Sequence, residues 1–177
     1  MEIRKVWALY YSATGTTDKA VNTIAEALAQ TLEVPLERMG FTRPAEREKE
    51  YSFTESDLVV VGSPTYAGKL PNKILPDFQT KLNGNGALAA AVVLFGNRGY
   101  DNSLAELCAV LEADGFHTVA AGAFVGRHAF TDTLGEGRPD WDDRRETTAF
   151  AKAAADKVLS LTDIPERVAV PGDAAAP

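Results

Sequence analysis

The chain reads Ser12-Ala13-Thr14-Gly15-Thr16-Thr17 between an apolar run and an amphipathic one. The apolar run, residues 6–11, is typical of a buried parallel strand. The amphipathic run, residues 18–32, repeats apolar side chains at helical spacing, at Val21, Ile24, Leu28 and Leu32. The quoted segment is therefore predicted to be a strand-to-helix turn that consists almost entirely of small and hydroxyl-bearing residues.

A turn of this composition directs backbone N–H groups and hydroxyl groups toward one point, at the positive end of a helix dipole. Gly15 lets the backbone approach a ligand closely. The segment lacks the Gly-Lys-Ser/Thr ending of a nucleotide triphosphatase loop and the three glycines of a dinucleotide-binding turn. Two interpretations stay open here: a phosphate-binding turn without Lys or Arg, and a turn whose hydroxyl groups only cap the helix.

Composition limits the class of protein. With 177 residues, 45% hydrophobic and 24% charged, the sequence predicts one soluble globular domain. The net charge of −7 disfavours nucleic acid and anionic membranes as partners and suits docking on a basic protein surface. A single cysteine, Cys108, excludes an internal disulfide and a cysteine-rich metal site. We expect no signal peptide, no membrane span and a reducing cytoplasmic location.

Strand and helix signals alternate along the chain, which predicts a parallel sheet covered by helices on both faces. The pure apolar runs at residues 58–61 and 87–95 predict central strands. Residues 34–38 carry a proline and two charges, and residues 118–124 are less apolar, so both predict edge strands. Residues 41–56 predict only a short, poorly defined helix.

Three more helices are predicted downstream. The first contains Ile74, Leu75, Phe78 and Leu82, and the second contains Leu104, Leu107, Cys108 and Leu111. The last is capped by Asp140 and buries a stripe of Phe150, Ala153, Ala154, Val158 and Leu161. The five strands fit the order 2-1-3-4-5, in which the loops at residues 12–17, 63–70 and 96–102 meet at one edge of the sheet.

These three loops together resemble the flavodoxin-like FMN-binding family. Residues 12–17 match the phosphate loop of that family, S/T-x-T-G-x-T. Gly62-Ser63-Pro64-Thr65-Tyr66-Ala67-Gly68 resembles its second loop, and Gly96-Asn97-Arg98-Gly99-Tyr100-Asp101-Asn102 stands where the third would be. More narrowly, residues 10–17 and 96–101 resemble flavodoxin domains that precede a ferredoxin module in some anaerobic bacteria. The resemblance covers residues 1–162 and leaves 163–177 as a flexible tail or truncated linker.

The resemblance implies a flavodoxin-like three-layer sandwich that binds FMN without a metal ion or a catalytic side chain. It assigns the phosphate to Ser12, Ala13, Thr14, Gly15, Thr16 and Thr17. It assigns the flavin ring to Ser63, Pro64, Thr65, Tyr66, Ala67, Gly68, Gly96, Asn97, Arg98, Gly99, Tyr100, Asp101 and Asn102. The rings of Tyr66 and Tyr100 are the flat surfaces on which the flavin would stack.

Two details of the ring site stay open from the sequence. In the family, a peptide of the second loop turns its carbonyl toward flavin N5, and here either Tyr66–Ala67 or Ala67–Gly68 could be that peptide. Four cationic or titratable side chains, Lys69, Arg98, Arg127 and His128, lie in or beside the site loops. Each either raises the reduction potential of the ring or points into solvent.

Three classes of function follow. The first is an electron carrier that serves redox partner proteins, with a ferredoxin module as one candidate partner. The second is an FMN-dependent NAD(P)H:quinone-type oxidoreductase, in which Arg127, His128 and Arg138 would face an anionic cofactor. The third, a flavin-free interaction module, leaves the hydroxyl-rich turn unexplained. The carrier is favoured because the sequence shows no dedicated second site, and the sequence does not predict an oligomeric state.

Overall fold

The computed structural model describes residues 2–12, 15–96, 99–126 and 141–176, with the backbone alone for residues 141–143. In chain order the described elements are β1 (Lys5–Tyr10), α1 (Thr16–Leu32), β2 (Leu36–Gly40), a 3₁₀ helix (Pro44–Arg47), β3 (Tyr51–Ser52), β4 (Asp57–Pro64), α2 (Leu75–Lys81), β5 (Leu82–Asn83), β6 (Leu88–Phe95), α3 (Ser103–Ala113), β7 (His117–Val125) and α4 (Trp141–Ser160).

The main sheet is parallel throughout and has the order β2-β1-β4-β6-β7. The predicted order 2-1-3-4-5 is confirmed, because the short strands β3 and β5 pair with each other in a separate sheet. The prediction that the strands near residues 34–38 and 118–124 lie at the two edges is confirmed as well. The central strand β4 is almost wholly buried, as its apolar sequence indicates.

Alternate residues of each strand enter two separate cores. Val60 packs with α1 and α4 on one face of the sheet, whereas Val59 and Val61 pack with α2 and α3 on the other. This is the three-layer arrangement that alternating strands and helices predict. Cys108 is buried in the second core as predicted, and burial raises the pKa of its thiol to about 11. The thiol therefore stays protonated at neutral pH.

Three details differ from the sequence prediction. The short helix predicted in residues 41–56 is a single 3₁₀ turn, Pro44–Arg47, where the Glu46 carboxylate accepts the N–H groups of Thr42 and Arg43, each at 2.9 Å; the strand β3 in the same segment was not predicted. Leu82 begins β5 instead of continuing α2. Ala153 is exposed, because α4 turns Ala151, Ala154, Ala155 and Val158 toward the sheet.

Strand β4 also runs further than its apolar run indicates, through Ser63 and Pro64, which pair with Val93 and Leu94 of β6. Proline has no N–H to donate to a neighbouring strand. It is tolerated at this position because β1 ends opposite Gly62, so no strand lies on the side where the N–H would otherwise bond. None of the described helices is both long and apolar enough to cross a membrane.

Asp114, the residue that follows α3, gives the fold a pH dependence. Its buried Oδ2 atom has no hydrogen-bond partner among the residues that the structure describes, and burial raises the pKa of the carboxyl group from 3.8 to about 7. The folded state binds this proton more tightly than the unfolded state, so the contribution to stability is complete below about pH 4 and is lost as the pH rises through 7.

We therefore expect Asp114→Asn to raise the free energy of unfolding at pH 8 by about 1–2 kcal/mol, a value reduced from the full linkage figure because the residue is only half-buried. At pH 4 the two proteins should unfold at nearly the same urea concentration. Urea titrations at pH 4, 6 and 8 measure this, with the exposed Asp163→Asn as the matched control. A constant difference at all three pH values would contradict the assignment.

Candidate functional site

The carboxyl ends of the strands bring the predicted loops to one edge of the sheet. Backbone hydrogen bonds align these ends: Tyr11 N–H donates to Gly62 O at 3.1 Å, and Thr65 N–H donates to Leu94 O at 2.7 Å. At the end of β7, Gly126 N–H donates to Phe95 O at 2.6 Å. The loops that follow β1, β4 and β6 therefore begin side by side.

The first loop leads into the N-terminus of α1. Gly15 precedes α1 with φ +81°, and no side chain caps the helix at that position. A Cβ atom at Gly15 would meet no atom of the described residues within 4 Å, so these residues leave space beside the turn. The Ser12 hydroxyl accepts the Asp18 N–H at 3.1 Å. One hydroxyl of the segment thus caps the N–H of Asp18, as the second interpretation expected, while Gly15, which has no side chain, adds no cap of its own.

The remaining members of the first loop are divided between the described and undescribed parts of the chain. Thr16 and Thr17 are buried, at 7% and 3% exposure, in the first turn of α1. Ala13 and Thr14 lie outside the described residues, as do Asn97 and Arg98 of the third loop.

The second loop is a tight reverse turn. Tyr66 N–H donates to Lys69 O at 2.9 Å, and Lys69 N–H donates to Tyr66 O at 3.1 Å. The two central residues, Ala67 and Gly68, have φ +52° and +76°, which is the signature of a type I′ turn. An alanine in this region is strained by about 1 kcal/mol.

The third loop is joined directly to this turn. Asn102 N–H donates to Gly68 O at 2.9 Å. A Cβ atom at Gly68 would lie 2.5 Å from Asp101 Oδ2, so only glycine fits against the third loop. The buried hydroxyls of Thr65 and Ser103, 2.8 Å apart, form a second link between the two segments. The predicted meeting of the second and third loops is therefore present among the described residues.

The two candidate tyrosines are both half-buried. Tyr66 shares a side-chain hydrogen bond with Tyr11. Burial raises the pKa of Tyr66 the most, and the neighbouring Tyr11 raises it further. The Tyr100 ring lies 5.3 Å from the Phe95 ring, tilted by 54°. Within the described part of the chain, no atom lies within 4 Å of a Cβ atom placed at Gly99, next to Tyr100.

Lys69 takes neither of the two orientations expected from the sequence. Its ammonium group lies 2.6 Å from Glu106 Oε2, and its side chain is only 25% exposed. The other oxygen of Glu106 accepts the Leu70 N–H at 3.0 Å. The charge of Lys69 is thus paired with a buried carboxylate rather than directed into solvent or left free to act on a neighbouring ligand. Arg127, His128 and Arg138 lie outside the described residues.

The buried position of Arg47 was not predicted from the sequence, and its side chain packs beside the start of the first loop. Its guanidinium group is buried, bonds Asp77 Oδ2 at 2.8 Å and lies 5.8 Å from the centre of the Tyr11 ring. The same side chain donates to the carbonyl of Thr42, whose hydroxyl accepts the Ser12 N–H at 2.9 Å. The charge-mixed run that contains Arg47 gave no periodic signal that could have marked it as buried.

No protein-family model matches the sequence, and no curated protein gives a significant match. Solved structures do resemble the chain. A flavodoxin from the domain Archaea is 18% identical, with a TM-score of 0.60 over 88% of this chain and 99% of that one. The flavodoxin of Streptococcus pneumoniae TIGR4 is 19% identical, with a TM-score of 0.59 over 86% and 99%.

An NADH:FMN oxidoreductase in its apo form, EMOB, is 15% identical, with a TM-score of 0.59 over 92% of each chain. At these identities a similar structure indicates a shared fold and nothing finer. The chain therefore has the flavodoxin-like α/β fold.

Proposed function

We propose that this chain is an FMN-binding electron-transfer protein. The observation that carries the proposal is the N-terminus of α1 at Gly15, where the described residues leave space beside the backbone at the same sheet edge as the joined turns at residues 66–69 and 99–102. The fold of this chain is shared by flavodoxins and by an NADH:FMN oxidoreductase. A single small ligand with an anionic group and a flat ring suits both parts of this edge.

The donor set fits the phosphate of FMN. Residues 12–17 contain no Lys or Arg, so the binding free energy would come from backbone N–H groups, hydroxyl groups and the helix dipole. The space that the described residues leave beside Gly15 would accommodate phosphate oxygens at the helix terminus. In this proposal Ser12, Gly15, Thr16 and Thr17 bind the phosphate together with Ala13 and Thr14.

The flavin ring would lie against the second and third loops. Bound FMN would supply one- and two-electron chemistry, and the chain would supply shape and hydrogen bonds. Tyr66 and Tyr100 provide flat surfaces, with the other residues of loops 63–68 and 96–102 around them. Gly68 O already accepts the Asn102 N–H and Tyr66 O accepts the Lys69 N–H, so Ala67–Gly68 is the peptide of this turn that would turn toward the ring.

The acidic charge of the chain suits an electron carrier that docks on basic surfaces of redox partner proteins in the cytoplasm. A ferredoxin module is one such partner in this proposal. The reductase alternative is favoured by one feature, a cavity of about 520 Å³ lined by Tyr66, Ala67, Lys69, Leu70, Asn72 and Ala176. A second substrate could enter there, beside the proposed ring.

A visible spectrum of the purified protein after incubation with FMN tests the proposal. We expect flavin absorption that stays with the protein through gel filtration, and an anaerobic titration with dithionite that proceeds in two one-electron steps. NADPH alone should leave the colour unchanged. A single two-electron step together with rapid bleaching by NADPH would favour the reductase. Folded protein that remains colourless in excess FMN would overturn both.

A further inference from the structure

The segment after α4 returns to the proposed ring loops. Val168 N–H donates to Thr118 O of the edge strand β7 at 3.4 Å, and Val168 and Val170 pack against the second core. Exposed and half-buried residues alternate from 167 to 170 and again from 173 to 176, so one side of the chain faces the domain. We call residues 168–176 the strap. The prediction of a tail or linker after residue 162 stays a prediction.

The far end of the strap contacts the third loop. Asp173 N–H donates to Asn102 Oδ1 at 2.8 Å. Gly172 has φ +109°, and a Cβ atom there would lie 2.9 Å from Asp101 O and 3.2 Å from Asn102 Cα. The backbone of the strap thus lies directly on the loop, at a distance that only glycine permits.

The strap also contacts the second loop. Ala176 O accepts a hydrogen bond from the ammonium group of Lys69, which is itself paired with the buried Glu106. Ala176 and its two preceding residues also line a cavity of about 590 Å³ between α2 and α3. The strap therefore contacts both turns, which the Asn102–Gly68 hydrogen bond also joins directly.

We propose that the strap is a positioning element that holds the 66–69 and 99–102 turns at one fixed separation, and so fixes the slot that receives the flavin ring. This inference rests on the proposed function for its ligand, but the coupling between strap and turns does not. A slot of fixed width lowers the entropic cost of ordering the two turns when the ligand binds. Loss of the strap contacts should let both turns open.

Gly172→Ala is the sharpest variant, because the new Cβ atom removes the strap from Asp101 while every loop residue stays unchanged. A chain that ends at Val170 removes the same contacts outright. The exposed Ala169→Gly, within the strap, is the matched control. Amide exchange in the protein without flavin is measured at Asn102 and Lys69, whose N–H groups form the bonds within and between the turns. FMN affinity is measured separately.

We expect both variants to exchange these two amides about tenfold faster and to bind FMN about tenfold more weakly, with the control unchanged. Unchanged exchange in the shortened chain would overturn the coupling. Faster exchange with unchanged FMN affinity would overturn the positioning role. If the parent chain binds no FMN, the proposed function fails, and the exchange measurement still decides whether the strap holds the turns.

Discussion

Replacing Thr14 and Thr17 together by valine is expected to weaken FMN binding by about 3–6 kcal/mol, or roughly 10²- to 10⁴-fold. Each hydroxyl would donate one charge-assisted hydrogen bond to the phosphate, and each such bond contributes about 1.5–3 kcal/mol. Residues 12–17 contain no Lys or Arg that could compensate for the lost hydrogen bonds. Titration of FMN against the variant, followed by the quenching of flavin fluorescence, measures the loss.

Valine is the informative substitution because Thr17 is 3% exposed and its methyl group would lie 3.2 Å from a Cβ atom at Gly62. Valine keeps this packed methyl and exchanges the hydroxyl for a methyl of similar size, which separates a binding defect from a cavity created in the fold. Thr23→Val is the control on the same helix, since Thr23 is half-buried and its hydroxyl donates an exposed hydrogen bond to Lys19 O. Equal affinities in all three proteins would remove these hydroxyls from the proposed site.

The order of the strands could be predicted because it depends on local composition. Asp57–Pro64 and Leu88–Phe95 are apolar on both faces, as central strands must be, whereas Pro35 and charged neighbours precede or occupy β2. Once the order is known, parallel pairing places the loops after β1, β4 and β6 at one edge. The meeting of loops at residues 66–69 and 99–102 therefore followed from topology alone.

Side-chain partners could not be predicted in the same way. Lys69 and Glu106 are 37 residues apart in the chain, and the sequence around neither residue indicates that the ammonium group pairs with a buried carboxylate. Arg47 pairs with Asp77, 30 residues away, for the same reason. A long charged side chain reads as exposed in any local pattern, because its partner is supplied by the tertiary fold.

The helix α4 shows the limit of periodicity. Alanine occupies residues 151, 153, 154 and 155, so the sequence contains several apolar stripes of nearly equal strength. Packing of α4 against α1 and the sheet selects the face with Ala151 and Ala155, and Ala153 is left exposed. Small side chains allow close approach of the helix but carry little information about its rotation.

Replacing Gly62 by alanine is expected to lower the free energy of unfolding by about 2 kcal/mol, against the usual direction for this exchange. Alanine in place of glycine within a strand normally stabilises by roughly 0.5–1 kcal/mol. At Gly62, however, the new Cβ atom would lie 2.1 Å from Val21 Cγ2 of α1. Val21 is fully buried, so the helix must shift, and overpacking of this kind destabilises by about 1–3 kcal/mol or more.

A double-mutant cycle with Val21→Ala tests the cause. The smaller side chain returns the space that alanine at position 62 takes, so the double variant should be about 1–2 kcal/mol more stable than the sum of the single changes predicts. Urea unfolding of the four proteins gives this interaction energy. Additive effects would show that the contact between β4 and α1 is not what limits position 62.

Because the same contact positions the first turns of α1, Gly62→Ala should also weaken FMN binding, and Val21→Ala should partly restore it.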